Sequence, residues 1–335
     1  MKRFLYIIIC VFGMALPGMA EEEGGKVDIP EIIFGHLGDS YEWHIAGDAV
    51  LHLPCIVVGK GGVDVFMSDK LEEGKEYKGY HIAQDGDYAG KIVTADGVRP
   101  FDISITKNVL ELFIVCILLC LVVLGVASWY RKNGCKKAPG GFVGMMEAVV
   151  NFIDKDVAKA SIGHGYERFS PYLLTVFLFI LTSNLLGLLP IFPGGANLTG
   201  NIAVTLTCAV TAFIAINFFA PKEYYKSIFW PNVPIFLKAP LPIMPAIEFI
   251  GVFTKPFSLT IRLFANIMAG HIIILALTSI IFVTAQMGAA ICAPMTIVSV
   301  LFCIFMNCLE LLVAFIQAYV FTILTANFIG LAHNE

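Results

Sequence analysis

Two apolar stretches near the C-terminus are each too long for an upright transmembrane helix. They run from about residue 247 to 283 and from about residue 295 to 332. The first, of roughly 37 residues, would form a helix of about 55 Å, against a hydrocarbon core of about 30 Å. Such helices must be steeply tilted, broken, or partly outside the bilayer. We expect tilt, because polar residues lie well inside both stretches.

Arg262 lies far from either end of the first stretch. An arginine at the centre of a membrane helix costs about 2.5–3.5 kcal/mol on insertion scales, so it normally faces protein or water and marks an ion path or counter-ion site. The alternative is an arginine that snorkels to a lipid headgroup. At 100° per residue, Asn266 is about 40° from Arg262 and His271 about 180° away. This helix therefore presents a cation on one side and an imidazole on the other.

The second stretch also contains polar residues inside an apolar run, and one of them is a carboxylate, Glu310. Gln317 is seven residues further along and lies on the same face, and Asn307 is one turn earlier. A buried carboxylate needs a partner, and the two candidates are His271 and Arg262. A His271–Glu310 pair is suited to relaying a proton. The alternative is a static pair that fixes helix packing.

The composition indicates a polytopic membrane protein, because 58% of the residues are hydrophobic and only 14% are charged. We expect an all-α membrane protein with about five transmembrane helices, the last two long and tilted, and a small β-rich extracytoplasmic N-terminal domain. No basic run with interleaved aromatic residues points to nucleic-acid binding. The five predicted spans are residues 109–129, 171–189, 203–220, about 247–283 and about 295–332.

Residues 1–20 have the basic start, short apolar run and small residues of a secretory signal peptide, although an uncleaved anchor is the alternative. Residue 21 starts outside the cytoplasm in either case. Basic residues after the first and third spans mark those loops as cytoplasmic, which gives a cytoplasmic C-terminus. The basic residues in these loops are Arg131, Lys132, Lys136, Lys137, Lys222, Lys226 and Lys238.

Residues 21–106 predict a small β-rich extracytoplasmic domain, and residues 107–335 the transmembrane domain. Alternating runs separated by turn signals occur at residues 49–58, 63–67, 77–83 and 102–106. His36, His44 and His52 resemble a metal set, but their spacing matches no ligand pattern, and we expect surface or packing histidines. Cys55 is the only cysteine of this domain, so no disulfide framework forms within it.

Two further segments carry a polar pattern. Residues 142–160 are amphipathic and too charged to span, which predicts a helix lying on the membrane surface, or alternatively a soluble cytoplasmic helix. Asn197, Asn201 and Thr205 recur at a spacing of four residues and form a polar stripe. The stripe would line a wet wall beside an ion path, or it would serve helix–helix hydrogen bonding.

The sequence resembles subunit a of F-type ATP synthases over about residues 105–335. The resemblance depends on Ser258-Leu-Thr-Ile-Arg-Leu-Phe-Ala-Asn266 through Ala269-Gly270, and on Glu310 followed by Gln317. Thr182-Ser-Asn-Leu-Leu-Gly-Leu-Leu-Pro190 and Asn197-Leu-Thr-Gly-Asn201 resemble the middle hairpin of the family.

The resemblance implies a non-catalytic stator subunit in the bacterial inner membrane. Its partners would be a ring of c subunits, the b-subunit stalk, the rest of the synthase and the lipid bilayer, and no cofactor or metal is expected. Protons would enter through one half-channel, travel on ring carboxylates and leave through a second, offset half-channel. Sodium coupling is the alternative within the family.

By the same resemblance, Arg262 corresponds to the essential arginine of the family, Asn266 to its companion amide and Gln317 to the glutamine facing it. Glu248 matches an acidic position on the cytoplasmic side. The commonest family pattern has a carboxylate where His271 stands and an imidazole where Glu310 stands, and the exchanged pair keeps both groups. A secondary transporter would usually show internal repeats, and a membrane-embedded enzyme a nucleophile–base or metal set. The sequence shows neither.

Overall fold

The computed structural model describes residues 38–46, 49–59, 62–83, 88–134, 138–189, 194–229, 243–285 and 289–334. The expected signal peptide, residues 1–20, and His36 lie outside these residues. The chain forms two compact units. One contains residues 1–114, 186–198 and 275–303, and the other contains residues 115–185, 199–274 and 304–335.

The described part of the N-terminal region is rich in β-structure, as the sequence predicts. A three-stranded antiparallel sheet has the order β4-β3-β7, and β1–β2 and β5–β6 form two-stranded sheets. A 3₁₀ helix, Ser68–Gly74, follows β4. All four predicted runs contain strand residues. The strands are β1 (Glu42–Ala46), β2 (Ala49–His52), β3 (Pro54–Gly59), β4 (Gly62–Met67), β5 (Tyr80–Ile82), β6 (Ile92–Thr94) and β7 (Phe101–Asp102).

A small apolar core holds these strands together. Cys55 and Val57 of β3 are fully buried in it, next to Phe66 and Tyr41. The hydroxyl of Tyr41 donates a hydrogen bond of 2.5 Å to Asp102 Oδ2. Burial raises the pKa of the Cys55 thiol to about 12, so this cysteine is a neutral packing residue at physiological pH.

The three-stranded sheet leads directly into the first long helix. Beyond β7, the backbone N–H of Ile105 donates to the carbonyl of Pro54 at 3.1 Å, which extends the pairing with β3. The N–H of Lys107 then donates to Ser40 O at 2.9 Å, and the N–H of Asn108 to Asp39 Oδ1 at 3.2 Å. These bonds satisfy N–H groups that the first turn of a helix leaves without intrahelical partners.

The rest of the described chain is helical. Four helices (α1, α3, α6 and α7) are long and apolar enough to cross a membrane, and α4 is a shorter apolar helix of 17 residues. A multi-pass membrane protein is therefore confirmed. The helices are α1 (Lys107–Asn133), α2 (Gly141–Asn151), α3 (Ser170–Gly187), α4 (Ile202–Phe218), α5 (Lys222–Phe229), α6 (Ile243–Ala285) and α7 (Ala289–Asn334).

Both over-long predicted spans form continuous helices. α6 has 43 residues and contains Pro256, and α7 has 46 residues and contains Pro294. A proline inside a helix removes one backbone hydrogen bond. Four residues after this proline, the Thr260 hydroxyl donates to the carbonyl of Pro256 at 3.0 Å. Neither helix is broken, which removes one of the three expected arrangements. Tilt stays a prediction.

The amphipathic segment differs in one respect from a regular surface helix. After α2 it continues as a π-helix, Phe152–Lys159, and ends in the helical turn Ala160–Ile162. Ile153 and Val157 are fully buried in a core that α3, α4, α6 and α7 share. Asp154, on the polar side, accepts a hydrogen bond of 2.5 Å from the Ser170 hydroxyl. The apolar face of the amphipathic segment thus packs on other helices of the same chain.

Candidate functional site

Burial on α6 separates two faces of the helix. Leu259, Leu263 and Ile267 recur every four residues and are buried in the helical core. Arg262 and Asn266 lie on a different side and are exposed on this chain. Among the described residues, no carboxylate lies within ion-pair distance of the Arg262 guanidinium.

His271 and Glu310 lie together, as one of the two interpretations of the sequence predicts. His271 Nδ1 and Glu310 Oε1 are in hydrogen-bond contact. Only 4% of the Glu310 side chain is exposed, and 17% of His271. The second carboxyl oxygen of Glu310, Oε2, is buried and has no hydrogen-bond partner in the described part of the chain. One proton can be shared within this pair.

Gly270 creates the space that Glu310 occupies. A Cβ atom at position 270 would stand 2.8 Å from Glu310 Oε1 and 3.1 Å from its Cδ. Any larger side chain at this position would therefore displace the carboxyl group from His271. Sequence reasoning did not assign a role to this glycine, because its role depends on the proximity of α7 to α6.

The other predicted residues of the long helices occupy separate places. Gln317 is buried on α7, and no hydrogen bond joins it to Arg262 within the described chain. Asn307 is half-buried one turn before Glu310, and Glu248 is exposed near the start of α6.

Two members of the polar stripe before and within α4, Asn201 and Thr205, make local hydrogen bonds. Asn201 caps α4, because its side chain accepts a bond of 3.0 Å from the backbone N–H of Ala203. The Thr205 hydroxyl donates to the carbonyl of Ile202 at 3.1 Å. Asn197 is buried in the turn that precedes the helix. The spacing of the three residues did not indicate that one of them, Asn201, caps a helix.

Asn184 is a buried polar residue that sequence reasoning missed as a site residue. It lies in α3 with 2% of its surface exposed. Its Nδ2 donates to the carbonyl of Ala314 in α7 at 3.1 Å, and its Oδ1 accepts a bond of 2.8 Å from the hydroxyl of Thr199. An amide inside an apolar span was the available signal, since buried polar groups need partners.

Of the three N-terminal histidines singled out in the sequence, His36 and the side chain of His44 lie outside the described part of the chain, and His52 is described. His52 Nδ1 lies 3.9 Å from Glu42 Oε1. Among all described residues, no group of three or more His, Cys, Asp or Glu side chains is arranged to hold a metal ion.

Comparison with known proteins gives two matches to protein families. Residues 111–330 match the family model described as ATP synthase A chain. Residues 32–108 match a second model, described as a domain of unknown function (DUF8433). The boundary between the two matches lies at the start of α1.

Several named relatives are similar over most of the chain. "ATP synthase subunit a 2" of Prosthecochloris aestuarii is 48% identical over 314 residues, which cover 93% of this chain and 82% of the relative. "ATP synthase subunit a 2" of Chlorobaculum tepidum is 49% identical over 236 residues, or 70% of this chain and 65% of the relative. "ATP synthase subunit a" of Anaeromyxobacter dehalogenans is 40% identical over 235 residues, which cover 68% of this chain and 58% of the relative.

Proposed function

Because this chain belongs to the ATP synthase A chain family, we propose that it is the proton-translocating stator subunit of the membrane sector of an F-type ATP synthase. The observation that carries the proposal is the placement of Arg262. Its guanidinium is exposed at mid-helix in a membrane protein, with no carboxylate of the described chain beside it. We propose that its counter-charge comes from another chain.

Arg262 acts on the ring without carrying a proton itself. A guanidinium stays charged at every relevant pH, and it stabilises the ionised form of a carboxylate within a few ångströms. A ring carboxylate that reaches Arg262 therefore releases its proton, and the fixed positive charge keeps the two half-channels apart. Asn266, one turn further on the same exposed face, adds an amide for the same passing group.

The His271–Glu310 pair supplies the proton-exchanging groups. A proton taken up by the pair is passed to an ionised ring carboxylate, which becomes neutral, and the pair is then protonated again from the entry side. Gln317, Asn307 and the stripe at Asn197, Asn201 and Thr205 are proposed to line these paths, and Glu248 to lie at the cytoplasmic mouth.

We propose the orientation that the basic loops indicate. The N-terminal domain of residues 21–106 lies outside the cytoplasm, five spans follow, and the C-terminus is cytoplasmic. The ATP chemistry belongs to other subunits, and the b-subunit stalk and c-subunit ring are the direct partners. Proton is the proposed ion. Pumping that is lost in sodium-depleted buffer and restored by added sodium would instead indicate the sodium-coupled form.

The test is ATP-driven proton uptake by inverted membrane vesicles in which this subunit is replaced by variants. Arg262→Ala should abolish uptake while the ring still co-purifies, because the counter-charge to the ring carboxylate is lost. Arg262→Lys should also be strongly impaired, since a desolvated lysine can lose its proton.

The matched control is Lys255→Met in the same helix. The Lys255 ammonium lies 5.3 Å above the ring of Phe328, and methionine keeps the apolar stem of the side chain. This variant should pump protons normally. Normal pumping by Arg262→Ala, or a purified chain that never brings a ring of small subunits with it, would refute the proposal.

A further inference from the structure

Asn184 joins three separate elements in the interior of the helical unit, which contains residues 115–185, 199–274 and 304–335. It lies in α3 and donates a hydrogen bond to the backbone of α7 at Ala314. It also accepts a hydrogen bond from Thr199, which lies in the 3₁₀ turn Leu198–Gly200 before α4. Asn184 and Thr199 are each 2% exposed, and Ala314 is 1% exposed. The three groups are thus shielded from competing solvent.

The two hydrogen bonds fix the orientation of the amide. The carbonyl of Ala314 can only accept, so the NH₂ group of Asn184 must face it. The amide oxygen then faces Thr199, whose hydroxyl donates to it at 2.8 Å. The Ala314 carbonyl therefore determines which end of the amide faces α7, and Thr199 holds the opposite end in place.

The attachment point lies on the functional face of α7. Ala314 is four residues after Glu310 and three before Gln317, which places it about 40° from the first and about 60° from the second around the helix. A bond to its carbonyl therefore constrains the rotation of α7 at the level where both polar side chains project.

We propose that Asn184, held in place by Thr199, is a positioning residue that sets the rotation of α7 and thereby aims Glu310 at His271. This inference rests on the proposed function for its effect on transport, but the rotation itself can be measured without transport. Neither residue needs to touch the moving proton for this role.

The experiment measures the rotation of α7 by disulfide cross-linking in the assembled complex. His271→Cys is combined with a cysteine at position 310, or at position 309 or 311, which lie about 100° to either side of it around α7, after Cys292, Cys303 and Cys308 are replaced by serine. With Asn184 intact, the 271–310 pair should form the main cross-link. Asn184→Leu, close in shape but without hydrogen bonds, should lower the yield of the 271–310 cross-link by about fivefold, the factor that corresponds to one buried hydrogen bond. The yield at 309 or 311 should rise in turn.

Thr199 provides the graded comparison. Thr199→Val removes the hydroxyl and keeps the shape, so it should shift the cross-links in the same direction, whereas Thr199→Ser keeps the donor and should not. Ser183→Ala is the matched control, because Ser183 is buried next to Asn184 and its hydroxyl has no hydrogen-bond partner among the described residues. It should leave the cross-links unchanged.

Proton pumping is measured on the same substitutions in chains that keep His271 and Glu310. Asn184→Leu and Thr199→Val should lower pumping in proportion to the loss of the 271–310 cross-link. If Asn184→Leu lowers pumping and leaves the cross-links unchanged, Asn184 acts on the ion path itself and the proposal is wrong. Unchanged cross-links with unchanged pumping would also overturn it. Shifted cross-links with unaffected pumping would support the positioning role and count against the function proposed for Glu310.

Discussion

At the scale of single residues, the chain separates a permanent charge from a titratable pair. Arg262 is exposed on α6, whereas His271 contacts Glu310 on the buried side of α7. The proposed relay gives this separation a chemical reason. A guanidinium beside Glu310 would hold that carboxyl ionised and prevent the proton exchange that we propose for it. Gly270 supports the arrangement by leaving room for the carboxyl group.

Exchanging the two groups of the pair tests whether they act together. Each single change, His271→Glu or Glu310→His, should lower proton pumping by about tenfold or more, because it leaves two like groups in one buried site. The double variant restores one imidazole and one carboxylate, so its pumping rate in vesicles should exceed that of either single variant. A double variant no faster than the slower single one would show that the two groups do not form a relay.

At the scale of elements, close helix packing depends on small residues. In the helical unit, α7 approaches the segment that follows the π-helix so closely that a Cβ atom at Gly330 would stand 2.1 Å from the carbonyl oxygen of Ser161. That oxygen belongs to the backbone and cannot rotate away. Ala326, one turn before Gly330 on α7, is also fully buried. Small side chains at helix interfaces allow this distance.

Gly330→Ala should therefore destabilise the helical unit. Overpacking of a close contact costs about 1–3 kcal/mol, and we expect a lower midpoint of thermal unfolding for the detergent-solubilised complex. Gly125→Ala is the matched control, because nothing lies within 4 Å of a Cβ atom built at that position in α1. Its midpoint should equal that of the parent chain. Equal midpoints for both variants would contradict the role of Gly330.

At the scale of the whole molecule, we propose that another chain covers the exposed face of α6. Around Arg262 it presents small and polar side chains, Ser258, Ala265, Asn266 and Ala269, all of them exposed. Small residues admit the close approach of another helix, and the arginine provides a charge for a carboxylate. The proposed ring fits both features.

Cysteine scanning of this face tests the contact. Ala265→Cys should form disulfides with cysteines introduced in the outer helices of the small ring subunits, because position 265 is exposed one turn from Arg262. Ile267→Cys is the comparison, since Ile267 is buried in the helical core. Cross-linked products on denaturing gels should appear for position 265 and not for position 267. The reverse pattern would place the partner on another face.

How much the sequence predicts depends on the range of the interaction. Apolar runs locate the spans, because a bilayer selects long uncharged helices whatever their neighbours are. Local patterns also predict the long helices α6 and α7 and the β-rich N-terminal region. They indicate which types of residue would serve an ion path. The π-helix at residues 152–159 does not, because its wider turn has no composition signal of its own.

The sequence by itself determined a multi-pass membrane chain with an arginine and an imidazole on opposite sides of one helix. That much depends on the helical repeat and on the high free energy of charge in hydrocarbon. Only the tertiary structure decided that Glu310 contacts His271 and not Arg262, that Gly270 makes room for it, and that Asn184 holds α7 at Ala314. These contacts join residues 39 and 130 positions apart, and such pairings are set by how helices pack rather than by any local pattern.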